Sequence, residues 1–300
     1  MSIAILRPKA NSLGSGAVFP LLNSLFMALM SVTTLYPFIF LITSSLSGLD
    51  MSLGGFSLLP RDFTFDNYAK VMANRSIGVG YYNTILRTVL GTSCSLAVTL
   101  CLAWPLSKRS FPNRSFWTAL IVFTMFFSGG MIPTYILVRK LGLIDSIWAL
   151  VLPELVTAYN FVIARNYMQT IPISMEESAK IDGANDIVIL FRVIMPVCKP
   201  IIATLALWIA VWHWNAWFDA MIYMTTAAGQ VVQLVMRRIV LEGSDQMTSM
   251  MAEAQRQGQG IAPEGLKAAT IMATTLPILC VYPFAQKYFV KGVMMGSLKG

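Results

Sequence analysis

Six times along the chain, about 20 mainly apolar residues follow one another with hardly a charge among them. An α-helix must be about that long to cross the roughly 30 Å hydrocarbon core of a bilayer. The runs lie at about Val18–Thr43, Thr84–Leu106, Phe116–Val138, Ser146–Tyr167, Ile201–Tyr223 and Ala268–Phe289. Only 12% of the residues are charged, against roughly 25% in soluble domains, and mean hydropathy is +0.65. The short alternating segments of an outer-membrane barrel are absent. These features predict an all-α membrane protein: one transmembrane domain over residues 1–300 with six transmembrane helices. Pro37, Pro153, Pro277 and Pro283 fall inside runs, where neighbouring helices can satisfy freed backbone groups. Gly129, Gly130 and Pro133 are expected to bend the third span.

The loops set the orientation. Segment 107–115, SKRSFPNRS, carries three basic residues and no acid, and the tails carry Arg7, Lys9, Lys291 and Lys299. Positive residues stay inside, so both termini and segment 107–115 are placed in the cytoplasm, and 44–83, 139–145 and 225–267 outside. The net charge of +8 is read as these loop residues, with no nucleic-acid partner implied. The first run has no small-residue cleavage site after it and reads as an uncleaved span. Cys94, Cys101, Cys198 and Cys280 show no metal-ligand spacing and read as packing residues. No internal repeat or separate soluble domain is visible. The Gln- and Met-rich segment 225–267 is too long for a simple turn and is read as partly helical.

Between the fourth and fifth runs lies an acid-rich stretch, EESAKIDGANDIVILFRVIMP (176–196). Ser174 and Glu177 have the spacing of a capping box for a helix starting near Met175. Gly183 offers the left-handed conformation that closes it, and Asn185 or Asp186 can cap a second helix. Ile187, Leu190, Phe191 and Ile194 would form that helix's apolar face, and Pro196 would end it. Glu176, Glu177, Lys180 and Asp182 are expected to face the cytoplasm. A docking knob and a merely solvated linker are both open on physical grounds.

The stretch resembles the EAA loop of ABC-importer permeases. The family's Glu-Ala-Ala, Asp-Gly-Ala and terminal Ile-x-Leu-Pro correspond here to Glu177-Ser178-Ala179, Asp182-Gly183-Ala184 and Ile194-Met195-Pro196. Ser178 and Met195 depart from the family pattern. Further stretches, NTILRTVLGT (83–92), RKLGLIDSIWALVLP (139–153) and YFVKGVMMGSLKG (288–300), resemble carbohydrate-importer permeases of the maltose-system type. The resemblance implies a type I ABC-importer permease fold in a bacterial cytoplasmic membrane, importing a carbohydrate, an oligosaccharide for preference. It implies three partners: a homologous second permease, a cytoplasmic ABC ATPase dimer binding ATP and Mg, and an extracellular solute-binding protein. Glu176, Glu177, Ser178, Ala179, Asp182, Gly183, Ala184 and Pro196, within a coupling loop at about 172–198, would then meet the ATPase. The C-terminal tail from Lys291 would add a second contact, and segment 225–267 would reach toward the binding protein. The chain has no G-x-x-x-x-G-K-[ST] phosphate loop, so no catalytic residue and no cofactor of its own is assigned; the ATPase is a separate polypeptide.

In the fifth run Trp208, Trp212, Asn215 and Asp219 fall at i, i+4, i+7 and i+11, one helical stripe of flat rings and polar tips. Such a stripe suits a sugar path; helix packing with an interfacial aromatic belt is the other reading. Glu154, beside Pro153, is read as structural, and His213 as a packed interfacial residue. Arg87 and Arg165 alone do not make a basic lumen. A non-sugar ABC permease, an ion-coupled secondary transporter and a membrane-embedded enzyme are the alternatives. Glu154 and Asp219 are a partial version of a secondary transporter's paired acids, without visible repeats, and no catalytic His/Cys cluster is visible for an enzyme.

Overall fold

The computed structural model describes residues 18–48, 59–241 and 263–297, all of the described secondary structure being helical apart from one isolated bridge between Ser47 and Phe63. The N-terminal tail, residues 298–300 and the centre of segment 225–267 lie outside the described residues, while the last helix carries the C-terminal tail from Lys291 as far as Ser297. Three of the six apolar runs form helices that are long and apolar enough to cross a bilayer unbroken. They are α1 (Val18–Ser45), α3 (Arg75–Ser107) and α13 (Pro263–Ser297). A short α2 (Asp66–Ala73) precedes α3. Pro37 and Pro277 break neither α1 nor α13.

The other three runs are interrupted within the described residues, the third where a bend was expected. The third divides into α4 (Arg114–Phe126) and α5 (Met131–Lys140), bent by 113°. Gly130 makes the break, with φ +92, a conformation that favours glycine. Pro133 lies in the first turn of α5, where its missing N–H costs no helical bond. The fourth run becomes α6 (Trp148–Val151) and α7 (Ala158–Met168), separated by a non-helical stretch around Pro153. The fifth becomes α10 (Lys199–Asn215) and α11 (Phe218–Tyr223), broken at Ala216 and Trp217 with neither glycine nor proline there. Before it come α8 (Ile173–Ile181) and α9 (Asp186–Val197), and after it α12 (Val232–Leu241).

Helix α3 is the axis. Its 33 residues run about 50 Å at 1.5 Å per residue. Ile77, Gly80, Thr84, Arg87, Gly91, Ser95, Thr99 and Ala103 are buried at steps of three or four, giving one continuous stripe. That stripe is small and polar, because close helix approach in a bilayer favours small residues. It lies against α7, α10 and α12. Three clusters result. Leu100, Phe161, Ile189, Ile194 and Leu205 join α3, α7, α9 and α10. Val71, Ile77, Val235 and Leu266 join α2, α3, α12 and α13. Leu150, Tyr223 and Leu234 join α6, α11 and α12. Helix α1 rests on α13 and presents exposed apolar side chains along its length.

Loops sort into two ends. Lys108 meets Glu176 at 2.7 Å, so segment 107–115 and the α8–α9 region share one end. At the other, Asp145 accepts from the Thr225 amide at 2.7 Å, and Asn83 donates to the Gln230 carbonyl at 2.9 Å.

Gly91 permits the closest approach: the buried His213 ring lies against it, and an added Cβ would overlap that ring. Gly91→Ala is therefore expected to destabilise the chain by about 1–3 kcal/mol, the usual overpacking cost. Adding His213→Ala should recover part of the loss, because the second change vacates the space the first one fills. Thermal unfolding of the detergent-solubilised single and double variants checks both signs.

Candidate functional site

At one end, α8, a turn and α9 project from the α3–α7–α10 cluster. The turn is closed by a Schellman arrangement. The Ala184 amide donates to the Ala179 carbonyl at 2.9 Å and the Gly183 amide to the Lys180 carbonyl at 3.0 Å. Gly183 has φ +81 with no atom near its missing Cβ, so backbone conformation and not space requires glycine. Ala179 and Ala184 pack together onto the cluster beneath. The Asn185 side chain then caps α9 by accepting from the Val188 amide at 2.9 Å. Glu177, Ser178 and Asp182 are exposed.

Four details correct the sequence reading. Helix α8 begins at Ile173 with Pro172 at its N-cap and no side-chain cap, so Ser174 and Glu177 form no capping box. Glu176 does not face outward: it accepts from Lys108 at 2.7 Å and lies 2.8 Å from Lys180, tying α8 to the end of α3. The apolar face of α9 is rotated. A π-helical segment, Ile189–Ile194, widens the turn, burying Ile189, Leu190 and Ile194 and leaving Ile187 and Phe191 exposed. Pro196 does not end α9; the chain turns 84° two residues later, at Cys198. The knob thus presents Ile173, Ile181, Ile187 and Phe191 beside its acids, with Ile181 87% exposed at the tip. A cleft of about 810 Å³ beside α8 is lined by Lys108, Arg109, Arg114, Glu176 and Glu177.

Burial alone would raise the Glu176 carboxyl, but hydrogen bonds and charge from Lys108 and Lys180 outweigh it and hold it below the ordinary glutamate value. A depressed folded value stabilises above the unfolded pKa and is lost as pH falls through the folded one. Glu176→Gln is therefore expected to speed amide exchange across 173–181 at pH 7 by about two- to fivefold, the range of a partly exposed pair. The two proteins should converge only at a pH below the ordinary glutamate range, once the wild-type carboxyl is protonated in the fold as well.

The second candidate region lies within the apolar runs. Of the stripe Trp208, Trp212, Asn215 and Asp219, the first three lie within α10, and the break at Ala216 and Trp217 places Asp219 on α11, out of register with them. Asn215 is exposed and donates to Val211 of its own helix at 2.8 Å. Asp219 pairs bidentately with Arg87, whose side chain is 0% exposed. Arg87 also donates to the Ala216 carbonyl at 3.1 Å, which satisfies the backbone group that the break frees. Its Nε donates to His213 Nδ1 at 3.3 Å, so the imidazole carries its hydrogen on Nε2 and is neutral. The guanidinium lies 5.5 Å from the Trp212 ring.

Trp208 and Trp212 do come together, in a cleft of about 370 Å³ between α3, the α6–α7 break and α10. Ser95, Glu154, Thr157, Tyr159, Asn160 and His213 also line it, with Leu155 and Ile209 completing the wall. Tyr159 and Trp208 have ring centroids 5.8 Å apart. Sequence reasoning missed most of this wall, since Glu154 and Asn160 converge only because residues 152–157 are not helical. Lys108 and Arg87 were likewise legible as lone charges, but their partners are 68 and 132 residues away.

Residues 74–295 match the model of the family described as "Binding-protein-dependent transport system inner membrane component". Among curated proteins, "Protein LplC" of Bacillus subtilis (strain 168) is 40% identical over 292 residues, 95% of this chain and 96% of that one. The "Polygalacturonan/rhamnogalacturonan transport system permease protein YtcP" of the same organism is 38% identical over 286 residues, 94% and 99% of the two chains. The fold matches a chain of the "Crystal structure of a bacterial ABC transporter involved in the import of the acidic polysaccharide alginate". The TM-score is 0.87 and identity 30%, covering 94% of this chain and 100% of that one.

Proposed function

Since the chain belongs to the family of inner membrane components of binding-protein-dependent transport systems, we propose that it is the permease subunit of an ATP-driven importer that carries a carbohydrate, an oligosaccharide by preference, across the bacterial cytoplasmic membrane. The observation that carries the coupling half of this reading is the knob formed by α8 and α9: a Schellman-closed turn, anchored by Glu176 and displaying Ile181. A rigid projection with an apolar tip and an acidic flank is a handle that a cytoplasmic partner can move. The carbohydrate half is supported by relatives named for polysaccharide transport.

In this reading a homologous second permease completes the pathway. An ABC ATPase dimer, which binds ATP and Mg, grips the knob from the cytoplasm, and a solute-binding protein delivers the sugar outside. Glu177, Ser178 and Asp182 touch the ATPase. Ala179, Gly183 and Ala184 shape the turn, Glu176 fastens it to α3, and Pro196 lies on the arm leading to α10. ATP-driven closure of the ATPase displaces the knob and shifts the spans from inward- to outward-facing, a change in population between two states. Both termini and the knob lie on the cytoplasmic side. The test is purification from native membranes followed by reconstitution. A second permease and an ATPase should accompany the chain, and oligosaccharide should accumulate only with ATP. A chain that purifies alone and carries solute without ATP would overturn the reading.

A further inference from the structure

A charged side chain is costly against lipid and faces a partner or water. Glu154 is exposed on this chain within one of its apolar runs, as is Trp212, and both line the cleft. The cleft they border therefore opens onto something polar, which in the assembled importer is the pathway. Its wall has the parts that a sugar ring requires: the aromatic faces of Trp208 and Trp212, a carboxylate acceptor at Glu154, and an amide at Asn160. Ser95, 3% exposed, also borders the cleft.

The charge of the wall narrows the ligand. Among the described residues, no cation lines the cleft. The Arg87 guanidinium is 0% exposed and bonded to Asp219, Ala216 and His213, and His213 is held neutral by accepting from it. What remains facing the cleft is one carboxylate.

We infer that this cleft is a binding subsite for an uncharged pyranoside, with Trp208 and Trp212 stacking on the ring, Glu154 bonding its hydroxyls, and Glu154 repelling carboxylated sugars. The subsite rests on the carbohydrate reading above.

The test is equilibrium binding to the assembled importer in nanodiscs without the binding protein, so that capture by that protein does not filter the ligands. A neutral trisaccharide of galactose or xylose units is compared with trigalacturonate by equilibrium dialysis. The neutral sugar is expected to bind at least tenfold tighter. Glu154→Gln should weaken neutral binding by about tenfold, the loss expected for a hydrogen bond to a charged group. Glu154→Lys should reverse the preference. Asn160→Lys keeps Glu154 in place and should shift the ratio the same way by a smaller factor, so the result does not hang on Glu154 variants assembling. Tighter binding of trigalacturonate by the wild type, no saccharide binding at all, or ratios unmoved by Glu154→Gln and Asn160→Lys would each overturn the subsite. ATP-driven sugar uptake persisting in any of those cases would leave the importer reading standing. Its loss for every saccharide would remove that reading as well.

Discussion

A chain carrying Gly183→Pro is expected to reach the membrane at the wild-type level and to lose substrate-stimulated ATP hydrolysis entirely. Proline fixes φ near −65°, whereas residue 183 has φ +81. The substitution also deletes the amide that donates to Lys180 at 3.0 Å. It further disfavours the φ −71, ψ 2 conformation of Asp182, since a residue before proline is pushed out of that region. The combined local cost is about 3 kcal/mol or more. None of it falls on the cluster of Leu100, Phe161 and Leu205 beneath, so the bundle itself is spared. Gly183→Ala meets no atom within 4 Å and incurs only the left-handed penalty of about 1–2 kcal/mol, so it should retain reduced coupling. The graded series proline, alanine, glycine separates loss of the turn from loss of the protein. Equal, undiminished ATPase stimulation in all three would show that the turn transmits nothing.

Asp219→Ala is expected to be the most damaging single change within the membrane-embedded part. It strips the carboxylate from a guanidinium that is 0% exposed. Breaking a buried pair from one side costs about 3–5 kcal/mol, because the surviving charge remains buried. The damage should spread to the α10–α11 break, since the same guanidinium holds the Ala216 carbonyl and fixes the His213 ring against Gly91. A lowered melting temperature and poor yield of the solubilised chain are the expected signs. Arg87→Met combined with Asp219→Ala removes both charges and should recover much of the stability. A double variant no better than the single one would mean that the pair acts through geometry and not through charge.

How far the sequence carried the reading depends on how local each determinant is. The unbroken spans α1, α3 and α13 were legible because length and apolarity suffice for them. The bend at Gly130 was legible for the same reason, being fixed by a residue without a Cβ. The break at Ala216 was not, because no residue there dictates it; a donor from α3 stabilises the freed carbonyl. The turn at Gly183 followed from one glycine and its spacing, while the face of α9 was mis-phased by a π-segment that no residue type announces. The polar stripe of α3 hid in plain view. A membrane helix buries its small and polar side and turns its apolar side to lipid, so a search for apolar faces passes over it. The cleft was half seen: the tryptophans on α10 were legible, but Glu154 and Asn160 join them only through the irregular chain after Pro153.

The claim on which the account turns is that the tip of the knob is held by an ATPase. It is tested most directly by site-specific cross-linking in native membranes. The four native cysteines are replaced, a single cysteine is placed at Ile181, which is 87% exposed, and a short bifunctional reagent is added with and without ATP. The expected product is an adduct with a polypeptide that carries the phosphate-loop motif this chain lacks, in a yield that changes on adding ATP. A cysteine at position 181 that stays free, or that couples only to lipid or to another permease chain whatever the nucleotide, would contradict the account.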